Sequence, residues 1–385
     1  MPKKLYVGVD NVARKGKKMY FGVDNLARKA KKGYIGVGGV ARPFMGSGIE
    51  YYSTITGLRA GGRGGKATHN QNYAIFFGGI TGNNTDVNYM DAWNSTLTKT
   101  APSGGFSVSN RALTHIGQYA LAAGGITEDN RGKKVVDNSV IAVNGSLTKS
   151  WPTVLSLARA DATGTHNNNY AIFAGGRDKS EYSELKVDAY NTSLTRSVPS
   201  ALSVARHDHG ATHVGEYALF AGGNKDNTSS GRKNTVDAYN ASLTRSTPTT
   251  LSSARRYVTG CHVGNFALFA GGTTDSGASD VVDVYNASLT RSTTKLRDAR
   301  STTGATHLGD FAIFAGGNTG GGVGNFMNQV TSIDSFDTSL TLTPLRDLTT
   351  GLGNCTQAAT IGNYALVGGG GGLNKYTSVD TFISL

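Results

Sequence analysis

The chain predicts an all-β protein built of tandem units, and three observations carry that expectation. Glycine supplies 53 of 385 residues and proline only 7, a glycine excess without the G-X-Y period of collagen or the proline content of a linker. No helix-length apolar stripe runs along the chain; short aromatic and β-branched runs alternate with Gly, Ser, Thr and Asn, the pattern of strands joined by tight turns. Gly-Gly pairs then recur seven times, at Gly78-Gly79, Gly124-Gly125, Gly175-Gly176, Gly222-Gly223, Gly271-Gly272, Gly316-Gly317 and Gly369-Gly370, 45 to 53 residues apart.

Other classes drop out on composition. No stretch approaches the roughly 18 consecutive apolar residues of a membrane span, and MPKKLYVGVD lacks the apolar core of a secretory signal, so the chain is expected to fold in the cytoplasm that makes it, without membrane insertion. Cys261 and Cys355 lie in unrelated contexts and cannot by themselves supply the four ligands of a zinc site; they are expected reduced, a disulfide being the alternative. The net charge of +12 is unevenly placed, since residues 1–44 hold 11 Lys/Arg and 2 Asp while the rest holds 27 Lys/Arg and 24 Asp/Glu. The basicity belongs to the N-terminal segment.

That segment is itself repetitive. Lys3–Gly16, Lys17–Ala30 and Lys31–Phe44 are three 14-residue units in register at Tyr6, Tyr20 and Tyr34, at Gly8, Gly22 and Gly36, and at Arg14, Arg28 and Arg42. Each predicts two short strands around Asp10-Asn11, Asp24-Asn25 or Gly38-Gly39, pairs that tolerate the positive φ of primed hairpin turns. Fourteen residues per hairpin bury too little apolar area to offset the roughly 1–2 kcal/mol of backbone entropy lost per residue, so residues 1–44 are expected to order against a partner, as a docking arm. The KK-x-Y-x-G-V-x-x-V/L-A-R pattern resembles tandem repeats of tail and baseplate-associated proteins of bacteriophages and prophages of Gram-positive bacteria, which implies attachment to virion proteins through this arm. Its Lys-Lys and Arg-Lys pairs equally suit solvated edge strands that resist aggregation; without a stacking platform, nucleic acid is not the expected partner.

From residue 45 the longer repeat reads strand by strand: a GATH-like strand A, a YALFAGG-like strand B, a VDAYN-like strand C as in Val187–Tyr190, Val236–Tyr239 and Val282–Tyr285, and a strand D after the N-A-S-L-T turn. Across residues 45–385 the pattern resembles the kelch repeat, although the Trp expected after the strand-C Tyr is replaced by Ser, Thr or Arg. The resemblance implies a seven-bladed kelch-like β-propeller of four-stranded blades. The seventh unit ends in strand C, and Glu50–Thr56 has the alternation of the missing strand D, so the N-terminal strand is expected to close the ring and remove its exposed edge.

Repetition also sorts the candidate sites. His69, His115, His166, His213, His262 and His307 share one repeat position, with Thr360 in the seventh unit; a residue serving every unit alike predicts a local hydrogen bond near the A–B turn, and ligands of one ion would have to converge far more closely than a wide ring allows. Sequons at Asn94, Asn144, Asn191, Asn240 and Asn286, with Asp337 in the sixth unit, predict turns closed by the Asn or Asp side chain. No sialidase box, tight acidic pair, copper constellation or G-x-S-x-G elbow occurs, so neither catalysis nor a metal or cofactor is expected.

Variation marks the surface carrying the B–C and D–A loops, with B–C loops near 80–87, 126–134, 177–186, 224–235, 273–280, 318–331 and 371–376, the arrangement of recognition loops on a rigid scaffold. On that face Arg159, Arg206, Arg255 and Arg300 each lie seven residues before the repeat histidine, Arg59 and Arg346 being looser equivalents. The arginines suit either a ring that clamps carboxylate or phosphate or ion pairs between blades. His207, Asp208, His209, Arg256 and Tyr257 repeat less and are the candidates for specificity. The resulting expectation is a virion tail or baseplate appendage, present in multiple copies, that binds a host-surface glycan; the alternative is a structural virion protein whose propeller binds other subunits.

Overall fold

The computed structural model describes residues 5–9, 12–16, 20–23, 26–29, 33–37, 40–45, 48–55, 57–59, 65–79, 87–106, 109–128, 133–226, 228–320, 328–349, 356–369 and 377–384. Seven four-stranded antiparallel sheets form the blades of a propeller, and each keeps the order A-B-C-D. Blade 4 is representative: Gly210–Val214, Tyr217–Ala221, Val236–Tyr239 and Arg245–Ser246 pair in sequence. In blade 7 the fourth strand is Ile49–Ile55, beside Val379–Ser384. Thr381 Oγ1 donates to the Ser53 carbonyl at 2.6 Å and Thr54 Oγ1 to Asp380 at 2.5 Å, so the ring is closed by chain from its beginning.

The chain divides into two compact units, Met1–Glu50 with Ser384–Leu385, and Tyr51–Ile383. Within the first unit the strands pair as three hairpins, Leu5–Val9 with Val12–Gly16, Tyr20–Val23 with Leu26–Lys29, and Gly33–Val37 with Val40–Met45. Arg14, Arg28 and Arg42 sit opposite Val7, Phe21 and Ile35, while Tyr6, Tyr20 and Tyr34 sit opposite Lys15, Lys29 and Pro43. The turn pairs themselves, the B–C loops at 80–86 and 371–376, and Cys355 lie outside the described residues.

Strands B and C supply the core because they are buried on both faces: Ala218, Leu219, Phe220 and Ala221 are sealed, as are Val236, Ala238 and Tyr239. Clusters run between neighbouring blades, Ile172, Val187 and Leu202 packing with Phe220 and Tyr239, and such blade-to-blade apolar contact is the main favourable contribution to the ring. The C–D turns are closed as their sequence predicts. Asn191 Oδ1 accepts from the Ser193 and Thr195 amides and Asp337 Oδ1 from those of Ser339 and Thr341, while Leu194 and Leu340 take a left-handed φ of about 60°. Two B–C excursions contain short ribbons rather than irregular loop, Ile126–Glu128 with Lys134–Val136 and Thr273–Thr274 with Gly277–Ala278.

The repeat arginines lie in the wall, not on the face. Arg159, Arg206, Arg255 and Arg300 are each 0% exposed, and each guanidinium reaches a 0%-exposed strand-C carboxylate, Asp188 at 2.8 Å, Asp237 at 2.7 Å, Asp283 at 2.7 Å and Asp334 at 2.8 Å. A guanidinium so enclosed cannot clamp a ligand, which corrects the binding-site expectation for all four; the ion pairs form within one blade, not between blades as the alternative expected. The same arginine joins blades through its backbone. Its carbonyl accepts the amide of the second Gly of the preceding blade: Gly125 to Arg159, Gly176 to Arg206, Gly223 to Arg255 and Gly272 to Arg300, at 2.9–3.0 Å. A Cβ on Gly222 would stand 2.6 Å from the Arg255 carbonyl oxygen, and Gly222 and Gly223 have φ of 71° and 101°, so the double glycine is required both by contact and by backbone conformation. Of the looser equivalents, Arg59 pairs with Asp91 at 2.7 Å and Arg346 lies over the Tyr51 ring at 3.8 Å.

Two expected outcomes follow from this wall. Removing one partner of a sealed pair strands the other charge at about 3–5 kcal/mol, whereas the second repeat unit has Val108 and Ile141 at the two aligned positions of its sequence; denaturant unfolding should therefore show Asp237→Ile to be more destabilising than Arg206→Val/Asp237→Ile. Deleting residues 1–44 should preserve the thermal transition, and deleting 1–60, which removes the closing strand, should lower it.

Candidate functional site

Strand A of every blade faces the propeller axis, and the axial space contains two stacked cavities of about 520 and 170 Å³. Both are lined by Ala67, Leu113, Gly164, Ala211, Gly260, Ala305 and Ala358, one small or apolar residue per blade, so that layer forms a neck between them. The larger cavity opens toward the D–A connections, the smaller toward the A–B turns.

The mouth is built from one repeat position. Asn110, Asp161, Asp208, Tyr257 and Thr302 each lie five residues before the repeat histidine, each has a φ between 53° and 56°, and all five line the 520 Å³ cavity. A left-handed backbone is disfavoured for residues with a Cβ, and it recurs here because the connection must turn sharply from the preceding blade into strand A. The turn is pinned from outside: Tyr257 N donates to the Asp208 carbonyl at 2.8 Å and Asp161 N to that of Asn110 at 2.9 Å. Five successive blades therefore direct five side chains, of four kinds, at one space.

The charged groups of the mouth interact with one another. Arg177, from the B–C loop of blade 3, donates from Nε to Asp161 at 3.0 Å and also from Nη2. Burial pushes the Asp208 carboxyl up to about 7, the Asp161 charge adds to that, and Arg177, a hydrogen bond from Tyr257 and Arg256 oppose it. Burial and the Asp208 charge likewise raise the Tyr257 phenol above its usual range, while the Arg256 guanidinium lies 4.8 Å over the Tyr257 ring. His209 is sealed, lines the mouth and is held neutral by burial and by nearby Arg206.

The specificity candidates thus separate. Asp208, Tyr257 and His209 line the mouth and Arg256 supports Tyr257, whereas His207 is buried and bonds through Nδ1 to the Ser183 hydroxyl at 2.8 Å, a scaffold position rather than a surface one. Sequence reasoning passed over Asn110, Asp161, Thr302 and Arg177; the available signal was variability at a fixed offset from the histidine, masked by attention to the arginine that recurs two residues earlier in four units.

The repeat histidines also depart from expectation. Instead of bonding at the A–B turn they line the smaller cavity and pack as tilted rings, with centroids 3.9 Å apart for His69–His115, 4.1 for His115–His166, 4.2 for His166–His213, 3.9 for His213–His262 and 4.2 for His262–His307. His307 and His69 are 6.3 Å apart across blade 7, where Thr360 donates to the His307 carbonyl and shares a hydrogen bond with Thr306. The histidine that seemed to serve its own blade serves the axis. Among the described residues no group of three or more His, Cys, Asp or Glu could hold a metal ion, and no helix is long and apolar enough to cross a membrane.

The architecture is that of a seven-bladed β-propeller with a polar axial mouth. No protein family and no curated relative matches the sequence. Among solved structures, YjhT is similar with a TM-score of 0.59 and 13% identity, over 76% of this chain and 99% of that one. At that identity the likeness is one of fold.

Burial and mutual proximity hold the annulus histidines low, His69 to about 4, His166 to about 3, and His213 and His262 to about 2. The unfolded chain takes up these protons below about 6.5 while the folded chain does not, so stability is full above that pH and falls as pH drops toward the folded values, by up to about 1.4 kcal/mol per pH unit for each histidine. Denaturant midpoints measured from pH 7.5 to 4.5 should fall steeply below pH 6.5, and His213→Gln should flatten the slope.

Proposed function

We propose that this chain is a kelch-type propeller that binds a neutral, polyhydroxylated host-surface glycan in its axial mouth, and that residues 1–44 dock it to a phage tail or baseplate in multiple copies. The observation that carries the binding reading is the set of five left-handed residues aimed at one cavity, since backbone strain repeated over five blades and combined with varied side chains is the pattern of a site. The acids and bases there, Lys66, Asp161, Arg177 and Asp208, come close to balance in sign, Asp208 being partly ionised near pH 7. That balance favours sugar hydroxyls over the carboxylates or phosphates that a ring of free arginines would have selected. Tyr257 offers a ring face and Asp161 and Asp208 acceptors for hydroxyl donors. A small site binds weakly, and adhesion then depends on copy number. Attachment to a virion rests on the resemblance of the arm repeats.

A second reading, a structural virion protein whose propeller contacts other subunits, is favoured by exposed apolar side chains in and around blade 3, Trp151 at 68%, Tyr182 at 72% and Val198 at 53%, which are more suited to a protein surface than to a sugar.

Adsorption of purified protein to host cells and calorimetric titration with their wall polysaccharide separate the two. Asp161→Asn and Tyr257→Ala should each weaken glycan binding about 10- to 100-fold, the loss expected for hydrogen bonds to charged groups or a stacking face, with the unfolding transition retained. If both variants bind as the parent does while Trp151→Ser abolishes association with virion subunits, the structural reading replaces the first.

A further inference from the structure

The annulus has a composition that the mouth lacks. The cavity of about 170 Å³ is lined by the six histidines together with Ala, Thr, Leu, Gly and Cys261, and among the described residues no Asp, Glu, Lys or Arg touches it. The other ionisable groups on the strands and turns around it are Cys261, whose thiol is pushed up to about 12 by burial; Lys66 and His209 in the mouth, beyond the neck; and exposed Glu216 and Asp310, three residues past His213 and His307 on the A–B turns and outside the lining. Lys66 Nζ is committed to the Arg111 carbonyl at 2.6 Å. Six imidazoles, five adjacent pairs of which have centroids about 4 Å apart, therefore share an axial cavity whose described lining offers no fixed counter-charge.

We infer that the annulus is a proton-coupled anion site, in which a small inorganic anion such as chloride enters the axial cavity together with protons taken up by the histidines. The geometry sets the stoichiometric logic. Two protonated rings packed at such distances repel, and with no carboxylate on the described lining the charge is neutralised only by an ion from solvent. The cavity has room for that ion with several waters, and the ring N–H groups supply donors around it. Thr360 in place of a seventh histidine leaves the wider gap between His307 and His69, with a hydroxyl already engaged to the His307 carbonyl and to Thr306. Because the ion binds the protonated folded state, it raises the folded histidine pKa values toward 6.5 and reduces the acid destabilisation derived above.

The test compares full-length protein in sodium chloride and in the sodium salt of a sulfonate too bulky for the cavity, at equal ionic strength. Histidine Cε1–Hε1 resonances followed by NMR should titrate at higher pH in chloride, and the acid-unfolding midpoint should move down by about a third of a pH unit for chloride at a hundredfold its dissociation constant. Diffraction from crystals soaked in bromide at pH 5 should place an anomalous peak on the axis between the rings. His213→Gln, a single change with close to the same volume, should reduce the chloride dependence; His115→Gln and His262→Gln are separate variants should that one fail to fold. Identical titrations in both salts, a bromide-free axis in crystals whose histidines are protonated, or a chloride effect undiminished in the folded variants would each overturn the proposal, the last by assigning the effect to general screening.

Discussion

A buried guanidinium–carboxylate pair at the head of blades 3 to 6 links three parts of the chain that are far apart in sequence. Arg206 reaches Asp237 in its own blade with its side chain and receives Gly176 of the previous blade with its carbonyl. Ser203 strengthens the link, donating both its amide and its hydroxyl to the same carboxylate, and Tyr239 pins the connection further out through the Ser200 carbonyl. A charge pair so enclosed adds little net stability compared with an apolar pair of the same shape. Its use is geometric: the fork of donors admits one arrangement of connection, strand C and preceding Gly-Gly, and so fixes the angle between blades.

What lies on the axis depends on that angle. The chain turns sharply from the connection into strand A, and Asn110, Asp161, Asp208, Tyr257 and Thr302 stand in left-handed backbone at the mouth, Asn110 in a blade without the charge pair. Five residues further on, the same strands bring the histidine rings into contact. The mouth, the neck and the annulus are thus successive layers of one set of strands, with different chemistry: balanced charge and hydroxyls, then small apolar groups, then imidazoles.

Much of this was legible in the residues. The Gly-Gly period, the VDAY strands and the Asx turns gave the order of strands, and the lone alternating segment near residue 50 gave the closure, because both follow from local backbone requirements that a repeat displays seven times. The roles of the repeated polar residues were less legible. Arg159 and its equivalents look the same in sequence whether they face water or Asp188, and only the position of the strand-C carboxylate, some 30 residues away, decides between them. His207 and His209, two residues from each other, likewise meet different surroundings, one a serine hydroxyl behind the mouth and the other the mouth itself.

The sequence by itself determined the class of fold, the number of blades and the strand that completes the ring, since periodicity and turn chemistry are local properties. The tertiary structure decided which of the repeated side chains point inward, outward or at one another. A repeat of seven places equivalent residues on a circle, and whether that circle is wide or closes to van der Waals contact depends on how far each strand lies from the axis. For the arginines that distance puts them in the wall; for the histidines it puts ring against ring.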